Sequence, residues 1–322
     1  MEYTRNLKFL GEIYADSSSV GSTITDKMQI LPSLHTGLLL FISYCLYLVC
    51  FISVEKNDYQ GSLPCLYTIH NKYSVLSKAN YKQVGETMIY LTGDTHGNFD
   101  RIRRFCELNN TTKDDVLIIL GDAGINYYLN KRDYKLKQEI QDLPITLFCI
   151  HGNHEERPEN IDTYKLDMFF GSLVYVEPEF PNIIFAIDGM IYKINNSKCL
   201  VLGGAYSVDK HYRLMKGYQW FESEQIPDDR KAEIEDCLSV CGYNVDYVLS
   251  HTCPYDIRPV HMFLKSIDQS TVDSSMEVWL QKISDRLTFK HWYFGHYHDD
   301  WDNGKYSMLY TDIIPLGYKV GE

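Results

Sequence analysis

Three short apolar runs, MIYLT (88–92), VLIIL (116–120) and ITLFCI (145–150), constrain this chain more than any other feature. Each has the length of a strand, and the last two are apolar almost throughout, as expected for a sheet covered on both faces. The stretches between them read as helices. In NFDRIRRFCELNN (98–110), Asn98 is placed as an N-cap and Phe99, Ile102, Phe105, Cys106 and Leu108 form an approximately helical stripe. KRDYKLKQEIQDL (131–143) reads as a charged surface helix that stops before Pro144. Strand, helix, strand, helix, strand within about 60 residues is a βαβαβ unit.

The remainder continues in the same manner. NIIFAIDGMIYKINNSKCLVLGG (182–204) sets an Asp188-Gly189 pair and an Asn195-Asn196 pair among β-rich runs, the pattern of a hairpin followed by another strand. A helix is expected over 225–242, opened near Pro227 and closed by Gly242. Strands are expected over 245–250, 291–295 and 305–313, the last following an Asn303-Gly304 turn. There is no internal repeat and no low-complexity linker. The reading is one α/β domain with two sheets packed face to face and helices outside.

The first strand begins at Met88, so residues 1–87 read as an N-terminal extension and residues 88–322 as the domain. The extension holds seven basic and seven acidic residues, so the whole net charge of -12 belongs to the domain. It also contains GLLLFISYCLYLVCFISV (Gly37–Val54), with no charge over 18 residues, at the lower edge of what spans a bilayer. That segment is either a membrane anchor or an upstream stretch with no part in the domain. Nine scattered cysteines, without CxxC spacing, and Cys106, Cys149 and Cys199 inside apolar runs indicate a reducing, cytoplasmic compartment and no disulfide framework. An acidic chain is a poor partner for duplex nucleic acid.

The polar residues fall in a distinctive place. Five expected strands end at residues able to bind a metal: Asp94 and His96, then Asp122, then Asn153 and His154, then His251, then His296 and His298. In open α/β sheets, ligands bind beyond the carboxyl ends of the strands, so these eight side chains should converge. Singly, each residue reads more simply as a cap, a turn or a hydrogen-bonding histidine. After five separate strands, nitrogen and oxygen donors without a thiolate point to divalent ions of the first transition row or zinc.

The blocks GDTHG, GD, GNHE, SH and GHYH, in that order, resemble the calcineurin-like metallophosphoesterases over roughly residues 88–313. The resemblance implies a four-layer αββα sandwich, two mixed β-sheets flanked by helices, around a dinuclear metal centre. It implies that Asp94, His96 and His298 hold one ion, that Asn153, His251 and His296 hold the other, and that Asp122 bridges them. It implies that His154 faces the substrate instead of a metal. Manganese is the first expectation for the ions, with iron, zinc, cobalt or nickel as alternatives. The protein Ser/Thr phosphatase branch carries G-D-x-V-D-R-G and an Arg before G-N-H-E. Here the second block reads GDAGINY and His151 precedes the third, which argues against that branch. GGAYSVDKHYR (203–213) with WFESEQ (220–225) is similar to a segment of bacterial and phage members, where Lys210, His211 and Arg213 would approach a substrate phosphate.

Two ions about 3.5–4 Å apart activate a water and offset charge on a phosphoryl group, and a shared carboxylate sets their spacing. His154 would protonate the leaving oxygen, a role worth about 10²–10⁴-fold; Glu155 would orient it or simply be exposed. The expected activity is hydrolysis of a phosphomonoester or phosphodiester, on a nucleotide or another phosphorylated small molecule, since no basic track for a polymer is visible. The alternatives are a non-catalytic scaffold of the same fold, against which the complete ligand set argues, and a protein phosphatase.

Overall fold

The computed structural model describes residues 87–318 apart from 264 and 266. The uncharged stretch Gly37–Val54, expected as an anchor or an inert extension, lies outside the described residues. No helix among the described residues is long and apolar enough to cross a membrane.

The opening βαβαβ unit forms where the apolar runs place it. Its elements are β1 (Ile89–Thr92), α1 (Asp100–Asn109), β2 (Val116–Ile119), α2 (Lys131–Ile140) and β3 (Thr146–Cys149). The three strands are parallel, with Leu91 beside Ile118 and Ile118 beside Phe148. Asn98 lies one position too early to cap α1. Its Oδ1 accepts the N–H of Asp100, and Phe99 occupies the cap position without a side-chain bond. Ile102 and Cys106, four residues apart, are buried, whereas Leu108 is 71% exposed because two further residues turn it to the far side. Asn130 does cap α2, accepting the N–H of Arg132.

The chain then passes through β4 (Lys165–Phe169), β5 (Ser172–Val176), β6 (Ile183–Ala186), β7 (Ile191–Ile194) and β8 (Ser197–Leu202). It continues with α3 (Lys210–Lys216), α4 (Asp228–Val240), β9 (Tyr247–Ser250), α5 (Ser275–Arg286) and β10 (His291–Phe294), and ends with β11 (Trp301–Asp302), β12 (Tyr306–Met308) and β13 (Ile314–Pro315). One sheet has the order β13-β1-β2-β3-β6-β5-β4 and the other β11-β12-β10-β9-β8-β7. Each has a parallel centre and antiparallel edges.

The sheets face one another. Phe148 of β3 meets Tyr192 of β7 edge-on at 5.1 Å, and the Tyr192 hydroxyl donates to the Leu173 carbonyl of β5. On the outer faces, Ile102, Cys106 and Ile140 of the first two helices cover Leu117, Ile119, Leu147 and Cys149. Ile234, Leu238, Leu280 and Ile283 of α4 and α5 cover Leu200, Val248, Trp292 and Phe294. Each such side chain contributes about 1.5–3 kcal/mol on burial. The result is a four-layer αββα sandwich.

Several expected elements differ. Asp188-Gly189 is not a hairpin turn but carries the chain from β6 in one sheet to β7 in the other. The hairpin is β7–β8, turned by Asn195 and Asn196, whose φ of 46° and 64° suit a tight turn. The strand expected over 305–313 stops at Met308, because the Asp300 carboxylate accepts the N–H groups of Tyr310, Thr311 and Asp312 and draws them out of the ladder. Cys106, Cys149 and Cys199 are buried free thiols, and the described residues contain no disulfide.

Candidate metal centre

The loops at the strand ends are laced together by the polar residues that the sequence singles out. The N–H groups of Thr95 and His96 both donate to the Asp122 carbonyl, at 3.1 and 2.9 Å, joining the loop after β1 to the loop after β2. Asp94 Oδ1 accepts the N–H of His296 at 2.9 Å, reaching across to the second sheet. Asp122 Oδ1 accepts the N–H of His154 at 2.8 Å. His251 Nδ1 lies 2.8 Å from the Leu120 carbonyl, to which it donates. All eight strand-end residues are thereby brought to one place.

Their donor atoms fall into two nests. In the first, Asp94 Oδ2 lies 3.1 Å from His298 Nε2 and 3.6 Å from His96 Nε2, and the two imidazole nitrogens are 2.9 Å apart. In the second, Asn153 Oδ1 lies 2.8 Å from His251 Nε2, and the rings of His251 and His296 are 5.0 Å apart. Asp122 sits between the nests. Its Oδ1 is 3.7 Å from His251 Nε2, and its Oδ2 is 3.8 Å from both His96 Nδ1 and His154 Nε2, with no hydrogen-bond partner among the described residues.

This arrangement is poorly satisfied without a cation. Asp94 and Asp122 are both about 1% exposed, and among the described residues no lysine or arginine pairs with either carboxylate. Buried charge of one sign is costly unless it is compensated. Burial, and then the charge of Asp94, pushes the Asp122 carboxyl well above its usual range. Burial also acts on Asp94, but the imidazoles of His251, His298 and His96 outweigh it and hold that carboxyl low. His251 is held in the same way: its Nδ1 donates to the Leu120 carbonyl, and its Nε2 lies 2.8 Å from the Asn153 oxygen. The Asn153 amide nitrogen donates to Ser207 Oγ at 2.9 Å, which keeps that oxygen turned inward. A histidine whose other nitrogen donates to a backbone carbonyl, set beside an inward-turned amide oxygen, is the kind of arrangement that could hold a metal ion with outer support. Nitrogen and oxygen donors with no sulfur suit divalent manganese, iron, cobalt, nickel or zinc.

The backbone is strained at the same points. His96, Asp122, His296 and His298 have φ of 47°, 47°, 70° and 56°, a region that side chains other than glycine seldom adopt. Close packing accompanies the strain. A Cβ on Gly152 would lie 2.0 Å from Asp122 Oδ1, so the G-N-H block needs its glycine to admit the carboxylate.

Around the nests, His154 is part-buried, and Arg213 Nη2 approaches its Nε2 at 3.4 Å. Burial, followed by the guanidinium charge, lowers the His154 pKa to about 2, so its imidazole is neutral. Glu155 is neither exposed nor bonded to His154. It is fully buried, accepts the N–H groups of Gly124 and Gly152, and is raised to about 8 by burial and by Asp122. Of the three cationic residues grouped in the sequence, Arg213 lines a cavity beside His96 and His154. Lys210 instead places its ammonium 3.7 Å from the centre of the Trp220 ring, and His211 is exposed and outside the cavity lining. Sequence reasoning passed over Tyr127, Tyr128 and Arg132, which also line this cavity. The available signal was a Tyr-Tyr pair in the loop after the second strand, at the edge where α/β sheets bind ligands.

No curated protein matches the chain. The crystal structure of TT1561 of Thermus thermophilus is similar over 70% of this chain and 89% of that one, at 12% identity and a TM-score of 0.39. The model of the calcineurin-like phosphoesterase family matches residues 87–300, a span that opens just before β1, passes β10 and takes in every strand-end block described above. The chain therefore belongs to the calcineurin-like phosphoesterase family.

Proposed function

We propose that this protein is a two-metal hydrolase of small phosphate esters. Asp94, His96 and His298 would hold one divalent ion, Asn153, His251 and His296 the other, and Asp122 both, with manganese the first choice of metal. The observation that carries the reading is the buried Asp122 carboxylate, whose Oδ2 has no hydrogen-bond partner among the described residues, set between two nests of nitrogen and oxygen atoms. When bound, such a pair of ions supplies an activated water and positive charge against the phosphoryl oxygens. The chain's own groups do the rest. Arg213 is held at Nε by both Asp209 oxygens at 2.8 Å and at Nη1 by the Tyr127 hydroxyl, so its Nη2, beside His154, is positioned to meet a phosphoryl oxygen without prior reorganisation. The cavity beside the centre, about 340 Å³, is at the small end for an organic ligand, which favours small molecules over polymers. Residues 88–322 form the catalytic domain in this reading, with residues 1–87 as an extension, in keeping with where the family match begins.

The direct test uses the full chain with p-nitrophenyl phosphate and bis-p-nitrophenyl phosphate. Chelation should abolish turnover of whichever ester is cleaved, and added Mn²⁺ should restore it. Undiminished turnover by a preparation shown to be free of metal would overturn the proposal.

His154 is assigned to the leaving oxygen. Burial, and then Arg213, keeps its imidazole neutral in the free site; a phosphoryl anion arriving between the two opposes both, so that the imidazole would take up a proton from water and pass it to the leaving oxygen. His154→Gln should leave the metal content unchanged and lower kcat for an alkyl ester by about 10²-fold, while p-nitrophenolate, which leaves unaided, should be nearly unaffected. A loss independent of the leaving group across an ester series would assign His154 to packing instead.

A further inference from the structure

The cavity beside the metal centre has an arginine on each of two tyrosines. Arg213 lies over the Tyr127 ring at 6.0 Å, and its Nη1 lies 3.2 Å from the Tyr127 hydroxyl, to which it donates. Arg132, in the first turn of α2, lies over the Tyr128 ring at 4.8 Å. The two tyrosines meet edge-on at 4.7 Å, so they form one platform that holds both guanidinium groups.

The charges are not equivalent. Arg213 is paired with Asp209 and stands next to His154. Among the described residues no carboxylate pairs with Arg132. The acid in the cavity wall, Asp133, is committed elsewhere, because its two oxygens accept the N–H groups of Tyr128 and Leu129 at 3.0 and 2.7 Å. Arg132 is exposed, so its guanidinium is open to an incoming anion. The tyrosine rings already carry the arginines, so the platform is better suited to presenting cations than to stacking a base.

We propose that this cavity selects phosphate esters bearing a second acidic group, a carboxylate or a phosphate, which Arg132 binds while the scissile phosphoryl group lies at Arg213 and His154. The proposal rests on the hydrolase reading of the adjacent centre and adds the substrate class. A guanidinium fork matches either anion in two-point contact, and holding it on an aromatic face lowers the ordering cost of binding. Arg132 is thus a specificity residue, distinct from the groups that act on the ester bond.

The test compares non-hydrolysable ligands on the full, Mn²⁺-loaded chain by calorimetry. The probes are a series of n-alkylphosphonates, the matching ω-carboxyalkylphosphonates and the matching α,ω-bisphosphonates, in several chain lengths. At the best length the second acid should tighten binding about fivefold or more, the scale of an accessible guanidinium–anion contact. In Arg132→Leu the advantage should vanish while affinity for the plain alkylphosphonate is unchanged, and Arg132→Lys should recover part of it. The helix start should survive these changes, since Asn130 caps the backbone N–H of residue 132 and not its side chain. No advantage from the second acid at any length, or an advantage that persists in Arg132→Leu, would overturn the proposal. Carboxylate and phosphate are separated by which series gains. Turnover of p-nitrophenyl phosphate on the same preparation reports separately on the hydrolase reading, because calorimetry reads affinity whether or not an ester is cleaved.

Discussion

Asp122→Asn should lower kcat/KM for p-nitrophenyl phosphate by at least about a thousandfold, which corresponds to about 4 kcal/mol of transition-state stabilisation. The substitution is nearly isosteric, and the amide oxygen can keep the 2.8 Å bond from the His154 N–H. The change falls on the other oxygen. Oδ2 lies 3.8 Å from His96 Nδ1 and His154 Nε2 without a hydrogen-bond partner among the described residues, and an NH₂ group there offers a donor where a cation needs a lone pair. No other residue is assigned to both ions, so the loss should exceed that from any single change among the other ligands. Elemental analysis should find less than the full metal complement, and circular dichroism should find the fold intact. A variant that keeps both ions and a near-normal rate would remove Asp122 from the bridging role.

Gly121→Ala should be strongly destabilising. Gly121 has φ of +95°, which already penalises any side chain, and an added Cβ would lie 2.0 Å from His251 Nδ1. That nitrogen belongs to a fully buried ring and donates to the Leu120 carbonyl, so relief of the clash breaks a buried hydrogen bond as well. Backbone strain, overpacking and the lost bond together should cost about 4 kcal/mol or more, and lower Tm by roughly 8 °C or more. Gly217→Ala provides the contrast. Its φ of +69° is similarly unfavourable, but nothing lies within 4 Å of the added carbon. The cost there should be about 1 kcal/mol. Equal unfolding midpoints for the two variants would show that the contact with His251 is not tight.

The contrast between these glycines shows what the sequence made legible. The strand-end blocks could be read because periodicity puts residues at the same sheet edge, and a motif in five parts leaves little freedom. Strands β1, β2 and β3 were legible for a related reason: runs buried on both faces are apolar at nearly every position. The hairpin β4–β5 was not. Much of β4 is exposed, and its turn sets Phe170 at a φ of 48°, a position where local sequence normally signals glycine or asparagine. The reach of Asp300 to three successive N–H groups, which ends β12 early, is likewise a tertiary choice with no periodic trace. The same holds for Glu155. Its place in GNHE is visible, but its complete burial beneath Gly124 and Gly152 follows from how the loops fold over it. Arg213 was visible only as one of three cations, and it is the pairing with Asp209 and Tyr127 that turns it toward the centre.

The lacing of the loops by the coordinating side chains bears on the choice of an inert protein for capturing substrates. Asp94 and Asp122 each hold a backbone N–H from another loop, so truncating either to alanine releases a loop together with a proposed metal ligand. A variant made that way confounds lost chemistry with a distorted binding surface. His298 is a cleaner choice. Its ring is 48% exposed, contacts the side chains of Asp94, His96 and Tyr310, and among the described residues carries no hydrogen bond to another loop's backbone. Replacing His298 with a residue that tolerates positive φ, such as asparagine, silences one nest while the cavity wall at Tyr127, Tyr128 and Arg132 stays in place to display what it holds.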